Sequence, residues 1–303
     1  MKTLYLDVFS GISGDMFIGA LIDLGLDPAQ FLQELKKLPL DGYHLHVSRG
    51  QKASIAGIKF DVHVEDGHGH GHAHGHEHQH QEHEHHHHGG HEHHDHGHAH
   101  THEHGHSHDH EHGHHHEDEH DHEHEHGRNF EEIRQLINQS KLSDWVKQKA
   151  VAVFQRVAVA EGKIHGVPAD KVHFHEVGAV DSIVDMLGSA VALEHLDVET
   201  VTCSPLPIGQ GWVMCDHGRM PLPAPATAQI LRGVPHMGVE WQGETVTPTG
   251  AAIVWAITDE YGPIPAMQVE TIGYGAGDRD PAEVPNLLRL FLGQRITAMR
   301  PRP

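Results

Sequence analysis

The densest group of side chains that could do chemistry lies between residues 173 and 185. His173 and His175 are two residues apart, so on an extended segment both project to one face, and Glu176 adjoins them. Asp181 and Asp185 follow, spaced by one helical turn. Imidazoles and carboxylates at this density suit a fixed metal site or paired acid–base work. The structural alternative is that His175 is hydrogen-bonded in a core and the carboxylates cap the following helix.

Two hydroxyl-bearing turns could bind an anion. The first ends a strand with Ser-Gly-Ile-Ser-Gly-Asp at residues 10–15, and the second places threonines ahead of an apolar helix at residues 245–250. Backbone N–H groups and hydroxyls at a helix N-terminus can hold phosphate or carboxylate, although neither turn is a Walker A loop or a dinucleotide fingerprint. Helix capping is the alternative for both. The predicted anion- or substrate-binding residues are Ser10, Gly11, Ser13, Gly14, Thr247 and Thr249.

Two weaker motifs lie further along the chain. Cys215-Asp-His217-Gly forms a loop whose thiol and imidazole could bind a soft metal or supply a base. Gly273-Tyr-Gly-Ala-Gly-Asp-Arg279-Asp is expected to be a flexible loop, with one arginine that could meet an anion. Short loop motifs of this kind often arise by accident, and His217 is retained as a candidate metal ligand.

A histidine-rich tract interrupts the chain between His68 and His126. It holds 31 of the 40 histidines, together with 14 carboxylates and no Lys or Arg. Such a segment cannot bury apolar surface, and neutral imidazole is a preferred ligand of Zn²⁺, Ni²⁺ and Cu²⁺. The composition therefore predicts a disordered metal-binding insertion over 67–126. A solvated, pH-responsive linker is the alternative.

Composition excludes several classes of protein. The formal net charge is −22, and no basic patch indicates nucleic acid. No apolar run is long enough for a membrane span, and the first residues lack the layout of a signal peptide. Two cysteines form neither a CxxC pair nor a disulfide framework, which favours the cytoplasm.

The elements that must position these groups alternate between strand and helix. Thr3–Val8 is predicted as a buried strand and Asp15–Leu26 as the helix after it, while Ser182–Leu196 has the periodicity of an amphipathic helix. Beyond residue 200 the Pro- and Gly-rich chain is predicted to be rich in loops, with short helices near 226–231 and 250–260 and late strands at 269–272 and 287–292. The fold class is α/β: one main domain of mixed strands and helices, over 1–66 and 127–293, with the insertion on its surface and a short basic tail at 294–303.

Taken together, several motifs resemble the LarC family of nickel-insertion proteins. They are residues 5–16, the histidine-rich insertion, residues 172–182, the Thr247–Gly250 turn and Gly273–Gly277. The resemblance implies CTP-dependent insertion of Ni²⁺ into pyridinium-3,5-bisthiocarboxylic acid mononucleotide, with Mg²⁺ or Mn²⁺ accompanying CTP. Family members continue into a second domain thought to bind CTP, so a separately encoded or read-through C-terminal domain is an expected partner.

The leading hypothesis is the nickel-binding part of such an insertase. Ni²⁺ would pass from the tract to His173, His175, Asp181 and Asp185, and Asp15, His175 and Glu176 are the candidate catalytic residues. A nickel storage or delivery protein without catalysis, and a metal-dependent hydrolase, are the alternatives. A homo-oligomer is possible, and no nucleic acid or membrane partner is expected.

Overall fold

The computed structural model of the chain describes residues 1–64, 128–174, 178–215 and 217–296. The predicted histidine-rich insertion, the tail from residue 297, and His175, Glu176 and Asp216 lie outside the described residues. The described residues all belong to one compact unit. Its helices are α1 Gly14–Asp23, α2 Pro28–Leu35, α3 Phe130–Gln139, α4 Asp144–His165, α5 Val180–His195, α6 Pro225–Ile230 and α7 Pro248–Ile257.

A mixed seven-stranded sheet forms the centre of the fold. Its order is β2-β3-β10-β11-β1-β4-β9, with β1 antiparallel to β11 and parallel to β4. Two small ribbons, β5 with β8 and β6 with β7, stand apart from it. The strands are β1 Lys2–Asp7, β2 Tyr43–Lys52, β3 Ile55–Val64, β4 Thr200–Cys203, β5 Leu206–Gln210, β6 Trp212–Cys215, β7 Gly218–Pro221, β8 His236–Gln242, β9 Glu260–Tyr261, β10 Met267–Ala276 and β11 Leu287–Arg295. The predicted α/β class is confirmed.

Capping residues set the starts of three helices. Asn129 and Glu132 form a capping box at α3, and the Ser143 side chain caps α4. Asp27 accepts a hydrogen bond from the Ala29 backbone at the start of α2. Each cap satisfies an N–H group that lacks a partner within its own helix.

Helix α1 lies unusually close to the sheet, and glycines make this possible. A Cβ atom on Gly275 would lie 1.8 Å from the Met16 carbonyl oxygen, and one on Gly273 would lie 2.3 Å from that of Ala20. On the helix side, a Cβ on Gly19 would lie 2.5 Å from the Ile58 carbonyl oxygen. Contacts this short exclude any side chain, so backbone packs against backbone and the N-terminus of α1 is held in place.

Two predictions about the second half of the chain are wrong. Residues 273–276 are not a flexible loop but the end of β10, where the glycines serve the close packing of α1. Likewise the stretch after residue 200 contains strands β4 to β8. Strand β11 continues to Arg295, two residues beyond the end expected for the core.

Buried apolar side chains fill the space between the sheet and the helices. Leu4 and Leu6 of β1 and Phe17 of α1 are fully buried, as are Leu187 of α5 and Ile253 of α7. Within the described residues, no helix is both long and apolar enough to cross a membrane.

Candidate functional site

A cleft of about 410 Å³ opens at the N-terminus of α1. Its floor comes from the turn that enters α1 and the turn that enters α7, and one wall comes from the β6–β7 hairpin. The lining residues are Ile12, Ser13, Asp15, Met16, Trp212, Val213, Met214, Gly243, Glu244, Thr245, Thr247, Gly277, Asp278, Arg279 and Asn286.

The floor joins the two turns that the sequence singles out separately. The Ile12 N–H donates to the Thr245 carbonyl oxygen at 2.8 Å, and the Thr247 N–H donates to that of Ile12 at 3.1 Å. Gly11 has a φ of +131°, and a Cβ there would lie 2.0 Å from the Thr245 oxygen. Both motifs therefore form one rigid surface, although they lie some 230 residues apart in sequence.

Several hydroxyl groups that were predicted to bind an anion form hydrogen bonds within the protein instead. The buried Ser10 hydroxyl donates to the Leu287 carbonyl oxygen at 2.7 Å and accepts from its N–H at 3.1 Å. Thr247 Oγ1 accepts from the Gly250 N–H at 3.1 Å and lies 2.9 Å from Thr249 Oγ1. These hydrogen bonds fix the floor of the cleft, which Ser13 and Thr247 both line.

Two carboxylates meet where α1 begins. Asp185 of α5 accepts a hydrogen bond from the Asp15 backbone, and a Cβ on Gly14 would lie 2.5 Å from the Asp185 Cβ. The glycine thus admits Asp185 against the turn. Asp185 Oδ1 is shielded from solvent and has no hydrogen-bond partner within the described residues.

Burial raises the pKa of both carboxyl groups. For Asp185, burial and the neighbouring charges of Asp15 and Asp181 hold the pKa well above its ordinary value. For Asp15, burial raises the pKa, although the Ser13 hydroxyl and Lys59 oppose it. The side chain of Asp15 remains 24% exposed and lines the cleft, so it can exchange a proton with a bound molecule.

Lys59, on β3, lies close to Asp15 and was not predicted from the sequence. Its ammonium pairs with Asp61, lies 2.9 Å from Asp278 and 4.0 Å from Asp15. Burial lowers the pKa of Lys59, but hydrogen bonds to Asp61 and Asp278 outweigh that effect and raise it. Lys59 therefore stays charged. Side chains alternate between the two faces of a strand, so Lys59 and Asp61 lie on the same face of β3. This alternation was the feature of the sequence that could have pointed to Lys59.

The other predicted metal ligands lie in different surroundings. His173 is exposed on a short extended segment between the buried Val172 and Phe174. Asp181 is exposed in the first turn of α5, where its Oδ1 accepts from the Ser182 N–H. The catalytic roles suggested for His175 and Glu176 stay predictions, since both residues lie outside the described ranges.

His217 contacts α4, a neighbour that the sequence did not indicate. Its Nε2 lies 3.2 Å from Nε2 of His165, which in turn lies 3.4 Å from a carboxylate oxygen of Glu161. In the part of the chain that the structure describes, no three His, Cys, Asp or Glu side chains are arranged to hold a metal ion.

Comparison with known proteins identifies the family. The family model described as nickel insertion protein matches residues 4–301. This chain belongs to the nickel insertion protein family. The resemblance inferred from the sequence is confirmed.

Several relatives in the nickel insertion protein family match nearly the whole chain. A pyridinium-3,5-bisthiocarboxylic acid mononucleotide nickel insertion protein of Geobacillus kaustophilus is 42% identical, over 99% of this chain and 62% of its own length. Putative nickel insertion proteins of Dictyoglomus thermophilum and Syntrophotalea carbinolica are 39% and 41% identical, over 98% and 97% of this chain. The chain spans about three-fifths of the length of these relatives. No solved structure matches it.

Proposed function

We propose that this chain carries the nickel-handling cleft of a CTP-dependent insertase acting on pyridinium-3,5-bisthiocarboxylic acid mononucleotide. The substrate is the one named for the Geobacillus relative. The observation that carries the proposal is the carboxylate of Asp15, partly buried in the cleft beside Asp185. We assign CTP, with Mg²⁺ or Mn²⁺, to the C-terminal domain that the family resemblance implies, and that domain is the expected partner.

The chemistry requires a base at the substrate ring. Ni²⁺ held by the two thiocarboxylate sulfurs forms a bond to the ring carbon between them, and the proton on that carbon must leave. The electron pair of the broken C–H bond becomes the carbon–nickel bond, and Asp15 takes the proton. A carboxylate with a raised pKa is the stronger base, which suits this role.

The acidic character of the cleft also suits the metal. Asp15 and Asp278 line the cleft and offer negative charge and oxygen atoms where Ni²⁺ must approach the ring. Lys59 offsets part of that charge and fixes Asp278 through their 2.9 Å ion pair. His173, Asp181 and His217, together with the histidine-rich insertion, remain candidates for delivering the ion.

The test is a nickel insertion assay on Asp15→Asn. The chain is incubated with Ni²⁺, CTP, Mg²⁺ and nickel-free substrate, alone and with the C-terminal portion of the Geobacillus relative supplied separately. Removing the base should slow insertion by about 10²- to 10⁴-fold. Asp61→Asn is the matched control, because Asp61 also pairs with Lys59 but does not line the cleft. Asp15→Asn turnover within threefold of the parent would contradict the proposed role.

A further inference from the structure

The wall of the cleft carries apolar side chains that do not contribute to the core. Trp212 and Met214, on β6, line the cleft and are 58% and 74% exposed. An exposed indole in a cleft offers a flat, polarisable surface for an aromatic ligand. Both side chains line the same cleft as Asp15 and Asn286, so this surface belongs to the candidate binding site.

A cation holds the indole in place. The guanidinium carbon of Arg219, on β7, lies 4.9 Å from the centroid of the Trp212 ring. Stacking of this kind covers one face of the ring and limits its motion. The hairpin therefore presents to the cleft an indole ring with an arginine against one face.

Arg279 supplies an uncommitted positive charge to the same cleft. Its guanidinium forms no ion pair or hydrogen bond within the described ranges, and it is the one Lys or Arg in the described lining. Gly243 makes room for it, because a Cβ there would lie 2.5 Å from Arg279 Nη1. Lys52 fixes the loop, with its Nζ 3.1 Å from the Arg279 carbonyl oxygen. A planar guanidinium held in this way suits bidentate binding of phosphate.

The cleft carries charges of both signs: the carboxylates of Asp15, Glu244 and Asp278 and the guanidinium of Arg279 line it. Asp15 lies at the floor, while the charge of Asp278 is offset by Lys59. A phosphate is therefore repelled from Asp15 and attracted to Arg279. The volume of about 410 Å³ lies in the usual range for pockets that enclose a small ligand.

We infer that the cleft seats an aromatic mononucleotide with its phosphate on Arg279 and its pyridinium ring against Trp212. This inference rests on the proposed function and adds the residues that orient the substrate. With the two ends held in this way, the ring carbon that receives nickel faces Asp15. Trp212 and Arg279 are positioning residues and take no proton.

The experiment measures binding without nickel or CTP, so that it does not depend on insertion. Titration calorimetry is performed with nickel-free pyridinium-3,5-bisthiocarboxylic acid mononucleotide and with the same compound after removal of its phosphate. Arg279→Gln should weaken binding of the nucleotide about 10- to 100-fold and leave that of the dephosphorylated compound unchanged. Trp212→Leu should weaken both about 2- to 10-fold.

Matched controls are available elsewhere on the surface. Trp255 is also stacked by an arginine, with the Arg156 guanidinium carbon 4.5 Å from its ring centroid, but it does not line the cleft. Trp255→Leu and the exposed Arg49→Gln should leave both affinities unchanged.

Two outcomes separate this inference from the proposed function. If Arg279→Gln weakens both compounds equally, or neither, the phosphate lies elsewhere and the inference is wrong, while Asp15-dependent insertion can still stand. If the parent chain binds neither compound and inserts no nickel with the C-terminal portion present, both fail together.

Discussion

The floor and the hairpin wall of the cleft are built in opposite ways. The floor consists of backbone: turns 10–15 and 245–250 bond to one another, and glycines admit contacts that no side chain would permit. The wall consists of side chains on the two-stranded β6–β7 ribbon, which stands apart from the main sheet. Substitutions in the floor should therefore change folding and chemistry together, whereas those in the wall should change binding alone.

This difference also separates what each side can contribute to the reaction. Catalytic groups must be held within a fraction of an ångström, and the packed start of α1 would provide this for Asp15, the proposed base. An aromatic side chain that stacks on a ligand ring can be placed less accurately, because the stacking energy changes little when one ring slides over the other. In the proposed function, the base thus lies on the rigid side and the recognition group on the exposed side.

A matched pair of methionines gives the largest expected contrast. Met16 and Met214 both line the cleft, but Met16 is 3% exposed and Met214 is 74% exposed. Met16→Ala should lower the free energy of unfolding by about 2–5 kcal/mol, since it leaves a cavity under α1. Met214→Ala should change it by less than about 0.5 kcal/mol. Chemical denaturation of both variants checks this, and equal losses would remove the distinction between floor and wall.

The local parts of the floor could be predicted from sequence, but its assembly could not. The strand, the Gly-rich turn and the helix after it follow from hydrophobic periodicity and turn residues in one short segment. The bond between Ile12 and Thr245 joins residues distant in the chain, and no local pattern encodes it. Because of this hydrogen bond, two motifs with similar chemistry form a single surface.

Glycine was the main source of error in the second half of the chain. Residues 273–276 have the composition of a flexible loop, yet they form a strand because α1 approaches them backbone to backbone. A sequence pattern cannot distinguish a glycine needed for close packing from one needed for a turn, since both require only the absence of Cβ. The hairpin residues Trp212 and Met214 were missed as well, because an isolated short ribbon carries little periodicity.

Gly14→Ala tests the closest contact in the floor. The added Cβ would meet the Asp185 side chain at 2.5 Å, so α1 or α5 must shift. The expected loss is about 1–3 kcal/mol of stability, accompanied by slower nickel insertion. Gly238→Ala is the control, since a Cβ there meets nothing within 4 Å. If the two variants unfold at the same denaturant concentration, the contact does not constrain the floor.

Among the variants in the floor, Asp185→Asn should give the smallest change in stability, and it should raise stability where Met16→Ala and Gly14→Ala lower it. Burial and two nearby carboxylates raise the pKa of Asp185 in the folded chain. Between the ordinary carboxyl pKa and this raised value, the folded state binds more protons than the unfolded one, so stability falls as pH rises through that window. Asparagine has no charge to bury, and the variant should melt about 2–4 °C higher at pH 7 in EDTA-treated protein.

That gain should shrink as the pH is lowered to about 3, where the carboxyl of the parent is mostly protonated in both the folded and the unfolded state. The exposed Asp170→Asn serves as the control and should melt like the parent at every pH. A lower melting temperature for Asp185→Asn at pH 7 would mean that the charged carboxylate stabilises the fold. If the expected gain is observed, the floor retains Asp185 at a cost in stability, as expected for a group kept for chemistry and not for folding.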